Sequence, residues 1–207
     1  MKIINCEQGS DEWLEIRKGV ATASNFSRLL TPKTEKPSSS INKYAKELAL
    51  ELTYEELKVN SFKSAAMEDG NLREGLARQA YQEAKVLKVN EVGFMISDCG
   101  NFGYSPDGVV GKDGLIEVKC LEAEAHSEIL LSSPLQMPVI YKCQIQGGLW
   151  ISGRKWCDFV AYGKVKKKER NLIIIRIFRD EDFIKKLEVE VKKCITLRDE
   201  IINKINN

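Results

Sequence analysis

The stretch SPDGVVGKDGLIEVK, residues 105–119, constrains the fold more than any other part of the chain. Gly111, Lys112, Asp113 and Gly114 are turn residues between two apolar runs, so VV and LIEVK pair as an antiparallel hairpin. Side chains alternate along a strand, which puts Glu117 and Lys119 on one face and Ile116 and Val118 on the other. The strand thus has an apolar back and a face that carries two charges together. A three-residue loop sets Asp107 opposite Lys119, with Glu117 diagonal to it. A two-residue loop moves Asp107 to the face of Val118, because a one-residue slip reverses the alternation.

Around this hairpin the pattern changes from helices to strands and back. Helical periodicity covers residues 11–18, with Trp13, Leu14 and Ile16 on the buried side and Trp13 as a core anchor. A second helix, residues 21–30, is entered through Thr22 or Ser24 as N-cap. Residues 42–57 carry Tyr44, Leu48 and Leu52 at helical spacing, and residues 65–84 carry Leu72, Leu76 and Ala80. Strands follow at 91–97, 102–104, in the hairpin, at 155–162 and at 171–178, with a helix at 138–151 among them. A last helix, 180–206, shows Phe183, Leu187, Val191, Ile195 and Ile202 on one stripe. Residues 31–40, TPKTEKPSSS, read as a mobile loop or a DNA-contacting flap. This order predicts one α/β domain over residues 1–207, a central mixed β-sheet flanked by α-helices, and 43% hydrophobic content suits such a core.

Lys and Arg number 32 and Asp and Glu 30, a formal charge of +2, which excludes a uniformly basic DNA-coating protein. Contacts with nucleic acid have to come from local patches. The run KVKKKER, residues 164–170, is one; it reads equally as a solvated turn or as a contact for duplex phosphates. Six cysteines are scattered without a CxxC pair, and one histidine, His126, accompanies them. That argues against a structural zinc site or an iron–sulfur cluster and for buried thiols in a reducing compartment, the cytoplasm. The N-terminus is polar from residue 5, and the apolar stretch 129–141 is broken by Pro134 and Pro138, so neither a signal peptide nor a membrane span is expected.

If Asp107, Glu117 and Lys119 converge, two carboxylates make a hard-oxygen site suited to Mg²⁺ or Mn²⁺, with a positive charge beside it. That is equipment for phosphodiester hydrolysis, in which metal ions hold the attacking water and stabilise the leaving oxygen. A lysine there orients or activates the water, or offsets charge in the transition state. The bland alternative is a surface hairpin with a cross-strand ion pair, and the three residue types alone do not decide between them.

Four segments decide more together. SPDG followed by IEVK resembles the PD-(D/E)xK nuclease motif. QGSDEWLEIRKGVATASNF, MEDGNLREGLARQAY and PVIYKCQIQGGLW resemble, in order, the W…R.G…TAS segment, the G…E helix and the P..Y..Q.Q helix of the YqaJ-type viral recombinase family. That is the family of bacteriophage lambda exonuclease, and the resemblance is anchored in residues 8–150. It implies a restriction-endonuclease-like core. It implies that Asp107 and Glu117 are metal ligands, with the Val118 carbonyl completing the coordination, that Lys119 is the catalytic lysine, and that Glu74 assists a second metal position. Tyr141 and Gln144 are implied to hold nucleophilic water or a substrate phosphate, and Arg17, Ser24 and Ser105 to bind a 5′-terminal phosphate.

The activity implied is that of a 5′-to-3′ exonuclease on double-stranded DNA, using two Mg²⁺ ions and releasing mononucleotides. The partners implied are duplex ends, a single-strand annealing recombinase that takes the exposed 3′ strand in phage-type recombination, and copies of the chain in a ring-shaped homotrimer. Each residue also has a plainer reading. Glu74 can pair with Arg78 at i+4, Ser24 can be a helix cap, Arg17 a surface charge, and His126 a polar contact in the segment linking the hairpin to the Tyr141 helix. Gln146 lies on another helix face than Gln144 and is the weaker candidate. An endonuclease or repair nuclease on the same core, and a non-catalytic DNA-binding protein, are the rival functions.

Overall fold

The structure is a computed structural model that describes residues 1–55 and 65–207, with side chains described outside residues 65–72. Strands β1 (Lys2–Ile4), β2 (Ala21–Thr22), β3 (Phe94–Ile96) and β4 (Phe102–Tyr104) form a small sheet in the order β1-β3-β4-β2. Strands β5 (Gly108–Val110), β6 (Gly114–Cys120), β7 (Trp156–Tyr162) and β8 (Leu172–Phe178) form the larger one, in sequence order. β6 and β7 run parallel and the outer pairs antiparallel, so the sheet is mixed. The parallel pair needs a crossover, and α4 (Ala123–Leu131) and α5 (Lys142–Ser152) supply it. Helices α1 (Asp11–Glu15), α2 (Ile41–Thr53), α3 (Ala65–Lys85) and α6 (Glu181–Asn206) complete the order. The expected mixed sheet flanked by helices is present. The N-terminal residues and the 91–104 strands add a second sheet that their short runs did not announce.

β6 is buried on both faces. Leu115 points into a cluster with Phe159, Leu149 and Cys157, while Ile116 and Val118 meet Ala77 and Tyr81 of α3. Its near-continuous apolar composition reflects this double burial. Glu117 and Lys119 share the Leu115 face, which α5 covers. α5 comes close because it carries two glycines. A Cβ on Gly147 would stand 2.5 Å from the Phe26 ring and one on Gly148 would stand 2.6 Å from the Tyr104 ring. At the start of α6, Asp180 accepts the Phe183 N–H at 3.0 Å, and Glu181 and Asp182 add negative charge to the first turn.

The hairpin register corrects one expectation. Gly108 faces Ile116 and Val110 faces Gly114, so the three-residue loop is Gly111, Lys112 and Asp113. It closes one position earlier than the register that sets Asp107 against Lys119, and Asp107 comes level with Glu117 instead. Gly111 takes φ 53, the left-handed turn conformation that favours glycine, and this places the loop. The expected shared face survives, because 117 and 119 lie on the same side of the strand.

Other elements differ in detail. α1 is shorter than predicted and Leu14 is exposed, since Ser10 caps the helix and the chain turns away after Glu15. The predicted helix 21–30 is instead β2 followed by a 3-10 helix, Ala23–Arg28. Thr22 stands at its N-cap position without a side-chain cap bond, and Ser24 lies inside the turn. Leu52 and Leu76 are half exposed. In α3 the buried face is Arg73, Ala77 and Tyr81, one position on from the predicted stripe, because Arg73 reaches the Leu121 carbonyl and Tyr81 reaches Asp158. The Leu72 side chain and residues 56–57 of the predicted helix 42–57 lie outside the described residues. His126 is buried in α4, a helix missing from the sequence reading. The loop 31–40 is tied down: Glu35 pairs with Lys142 at 2.8 Å and Lys186 at 2.7 Å, and these two ammonium groups hold its carboxyl down at about 2. Among the described residues no helix is long and apolar enough to cross a membrane.

Candidate active site

Glu117 is fully buried and is the centre of the site. The Tyr104 hydroxyl donates to its Oε2 at 2.7 Å, and the Lys119 ammonium donates to its Oε1 at 2.6 Å. The Gln144 amide of α5 also donates to Oε1. A buried carboxylate needs such donors, and each hydrogen bond to a charged group contributes about 1.5–3 kcal/mol. Tyr141 lies beside the same lysine, its ring centroid 5.5 Å from the Lys119 Nζ, and packs on Phe159. Glu117, Lys119, Gln144 and Tyr141 therefore meet where β6 passes under the start of α5.

Asp107 arrives from the hairpin. Its Oδ2 accepts the Val118 N–H at 2.6 Å, one residue before β5 begins. The N–H and C=O of one strand residue point to the same side, so the Val118 carbonyl shares the direction of Asp107. Burial, and then the Glu117 charge, push the Asp107 carboxyl well above its ordinary range. Burial alone lowers the Lys119 ammonium, but Glu117 and Asp107 override it and raise the group above its ordinary range. Burial and the same Glu117 push the Tyr104 phenol up, keeping it a donor.

On the open side a cleft of about 620 Å³ is lined by Asp107, Glu74, Arg78, Glu91 and Gln8. Glu74 accepts from Arg78 at 2.7 Å, the pairing that its i+4 spacing offered, yet it also borders this cleft and adds to the negative field at Asp107. Gln8 spans Val92 and Pro106, donating to each carbonyl at 2.9 Å, and so fixes the segment that presents Asp107.

A second constellation sits across β4. Ser105 Oγ accepts from the Trp13 indole at 2.8 Å and from Arg17 at 3.3 Å, which leaves its own proton free to be donated. The guanidinium stacks on Trp13 at 3.8 Å. Burial lowers Arg17 to about 10, and among the described residues no carboxylate pairs with it. It faces a cavity of about 470 Å³ lined by Trp13, Thr22, Asn25, Tyr44 and Glu51. Ser24 is exposed and bonded to Thr22 at 3.3 Å; Thr22 and Asn25, rather than Ser24, line that cavity. Gln146 faces away and ties α5 to α6, donating to the Phe178 carbonyl at 2.9 Å and accepting the Asp180 N–H at 3.0 Å.

The YqaJ-like viral recombinase domain matches residues 12–155. The chain belongs to this family. Among solved structures it is similar to an alkaline exonuclease, LHK-Exo, from Laribacter hongkongensis, at 30% identity and TM-score 0.82 over 95% of this chain and 96% of that one. The complex of LHK-Exo with dAMP matches at 31% identity and TM-score 0.80, with the same coverage. A phage-related exonuclease from Haemophilus somnus 129PT shares the fold at 15% identity and TM-score 0.66, over 90% and 96% of the two chains. No curated protein sequence matches the chain. Two residues of this family member's site escaped sequence reasoning. Tyr104 looked like a strand aromatic, and Trp13 like a core anchor, although it is half-buried and holds Ser105. Neither partner is near in sequence, so no spacing signals these contacts.

Among the described residues no three His, Cys, Asp or Glu side chains gather as a cation cage. The donors present still suit a hard divalent ion. Two adjacent carboxylates are compensated by a single lysine, Asp107 Oδ1 has no hydrogen-bond partner among the described residues, and Asp107 opens on the cleft.

Proposed function

We propose that this chain is a metal-dependent exonuclease that degrades one strand of duplex DNA from a 5′-phosphorylated end and releases mononucleotides. The observation that carries the reading is the convergence of Asp107, Glu117 and Lys119, with Asp107 at the wall of an open cleft, in a chain similar over nearly its whole length to an alkaline exonuclease. Asp107, Glu117 and the Val118 carbonyl would hold Mg²⁺ or Mn²⁺, with Glu74 serving a second position. A cation bound there supplies Lewis-acid charge to the scissile phosphate and to its water.

The chain's own residues do the rest. Tyr104 and Gln144 fix both oxygens of Glu117, so the carboxylate is preorganised before substrate arrives. Lys119 presents an ammonium beside the carboxylates and offsets the charge that builds on the phosphate. Tyr141 limits the space around that ammonium. Arg17 and Ser105 bind the terminal phosphate as forked and hydroxyl donors, with Trp13 holding both. A pocket for a terminal phosphate makes the enzyme start at ends. In this reading the residues 1–207 act as one domain, copies of the chain associate as a ring, and the 3′ strand left behind passes to a single-strand annealing recombinase.

The test compares a linear duplex with a covalently closed circle. Loss of the linear form alone supports the exonuclease, and nicking of the circle supports an endonuclease on the same core. Arg17→Ala is expected to lower the preference for 5′-phosphate over 5′-hydroxyl ends by about ten-fold or more, the loss of one charged hydrogen-bonding group. An unchanged ratio removes Arg17 from the pocket.

A further inference from the structure

Residues 164–170, KVKKKER, join β7 to β8 and play no part in the site above. Lys164, Lys166, Lys167, Lys168 and Arg170 are all exposed, and among the described residues none of them pairs with a carboxylate. Several other surface cations are matched: Lys142 and Lys186 hold Glu35, Lys155 holds Asp113 and Arg179 holds Glu181.

The turn that presents these charges is built. Asn171 closes it, its carbonyl accepting the Gly163 N–H at 2.9 Å and its side-chain oxygen accepting the Val165 N–H at 2.8 Å. His126 of α4 packs over Gly163, where a Cβ would stand 2.4 Å from the imidazole, and its Nε2 lies 3.1 Å from the Asn171 carbonyl oxygen. The buried histidine thus anchors the turn to the crossover helix. Residues Lys168–Arg170 add a 3-10 helix.

Its position follows from the β6–β7 register. Lys119 pairs with Ala161 and Cys120 with Tyr162, and the Leu121 N–H donates to the Tyr162 carbonyl at 2.9 Å. The turn therefore leaves the sheet at the end where Lys119 sits, and Gly163 lies two residues, roughly 7 Å of strand rise, beyond the level of Lys119. Phosphates along one strand of a duplex follow each other every ~3.4 Å of helix axis. A strand whose phosphate rests at Lys119 has its neighbouring phosphates within this range.

We propose that the 164–170 turn grips the phosphate backbone of duplex DNA beside the reacting end, with Lys166, Lys167 and Lys168 as its main contacts. The proposal rests on the nuclease reading and adds a second, sequence-independent hold on the substrate, made by residues other than those of the terminal-phosphate pocket. Such contacts position the duplex without reading bases.

The test uses the full chain carrying Lys166→Gln, Lys167→Gln and Lys168→Gln together. Binding to a 5′-phosphorylated duplex is measured by fluorescence anisotropy in EDTA across a NaCl series, so that no strand is cut. A charge-matched control carries Lys185→Gln, Lys192→Gln and Lys193→Gln on α6. Each phosphate contact adds about 0.9 to the slope of log affinity against log salt, so the loop variant is expected to lose about 2–3 from that slope and about ten-fold or more in affinity at low salt. The control keeps the wild-type slope, and both variants hydrolyse a 5′-phosphorylated dinucleotide at the wild-type rate, because that substrate is too short to reach the turn. Unchanged affinity and slope in the loop variant, or equal losses in the two variants, overturns the proposal while leaving the nuclease reading intact. A wild-type chain that neither binds nor degrades duplex DNA overturns both.

Discussion

Lys119→Ala is expected to lower DNA hydrolysis by about 10²–10³-fold or more while leaving duplex binding largely intact. The ammonium lies 2.6 Å from Glu117 and is held charged by Glu117 and Asp107, and in the proposed mechanism it acts at the reacting phosphate and not along the duplex. Removing it leaves two carboxylates side by side with hydrogen-bond donors but no cation from the chain itself. Added Mg²⁺ should therefore raise the melting temperature of the variant more than that of the wild type. Single-turnover cleavage and anisotropy binding separate the two effects. Cleavage at the wild-type rate would remove Lys119 from the chemistry.

Gly148→Ala is expected to destabilise the fold although alanine is the better helix former. The helix-propensity gain is about 1 kcal/mol. Against it, the new Cβ would stand 2.6 Å from Tyr104 Cε1 and 2.8 Å from Cζ, and that ring is buried. Overpacking of this kind costs about 1–3 kcal/mol, and moving the ring takes the phenol off Glu117, a charged hydrogen bond of about 1.5–3 kcal/mol. The net loss of about 1.5–5 kcal/mol corresponds to a fall of roughly 3–20 °C in melting temperature for a chain of this size. Tyr104→Phe keeps the ring and removes the hydroxyl, so it separates packing from the hydrogen bond. A melting temperature unchanged or raised in Gly148→Ala would show that α5 can move away from β4.

The sequence carried the hairpin because its signals are local: turn residues, alternation and the spacing of acid and lysine all lie within residues 105–119. The register was misplaced by one residue, since Gly111 and Gly114 both offer the flexible position and the Trp156 ring packed over Gly114, far away in sequence, keeps that glycine in the strand. Tyr141 and Gln144 were visible as a helical pair, but their convergence on Glu117 and Lys119 depends on the two glycines that let α5 approach. Tyr104 and Trp13 were not legible as site residues, because their polar atoms serve Glu117 and Ser105 through contacts between separate elements. α4 was missed because its apolar residues run into the proline-broken stretch that follows, and its burial of His126 comes from the β7–β8 turn.

The most direct test of the account is digestion of a linear duplex bearing a 5′ phosphate on one strand, with and without Mg²⁺, alongside a Glu117→Ala control. The account predicts metal-dependent release of mononucleotides from the phosphorylated strand, absent in the control. Internal cutting, or release that persists without divalent metal or without Glu117, would contradict it.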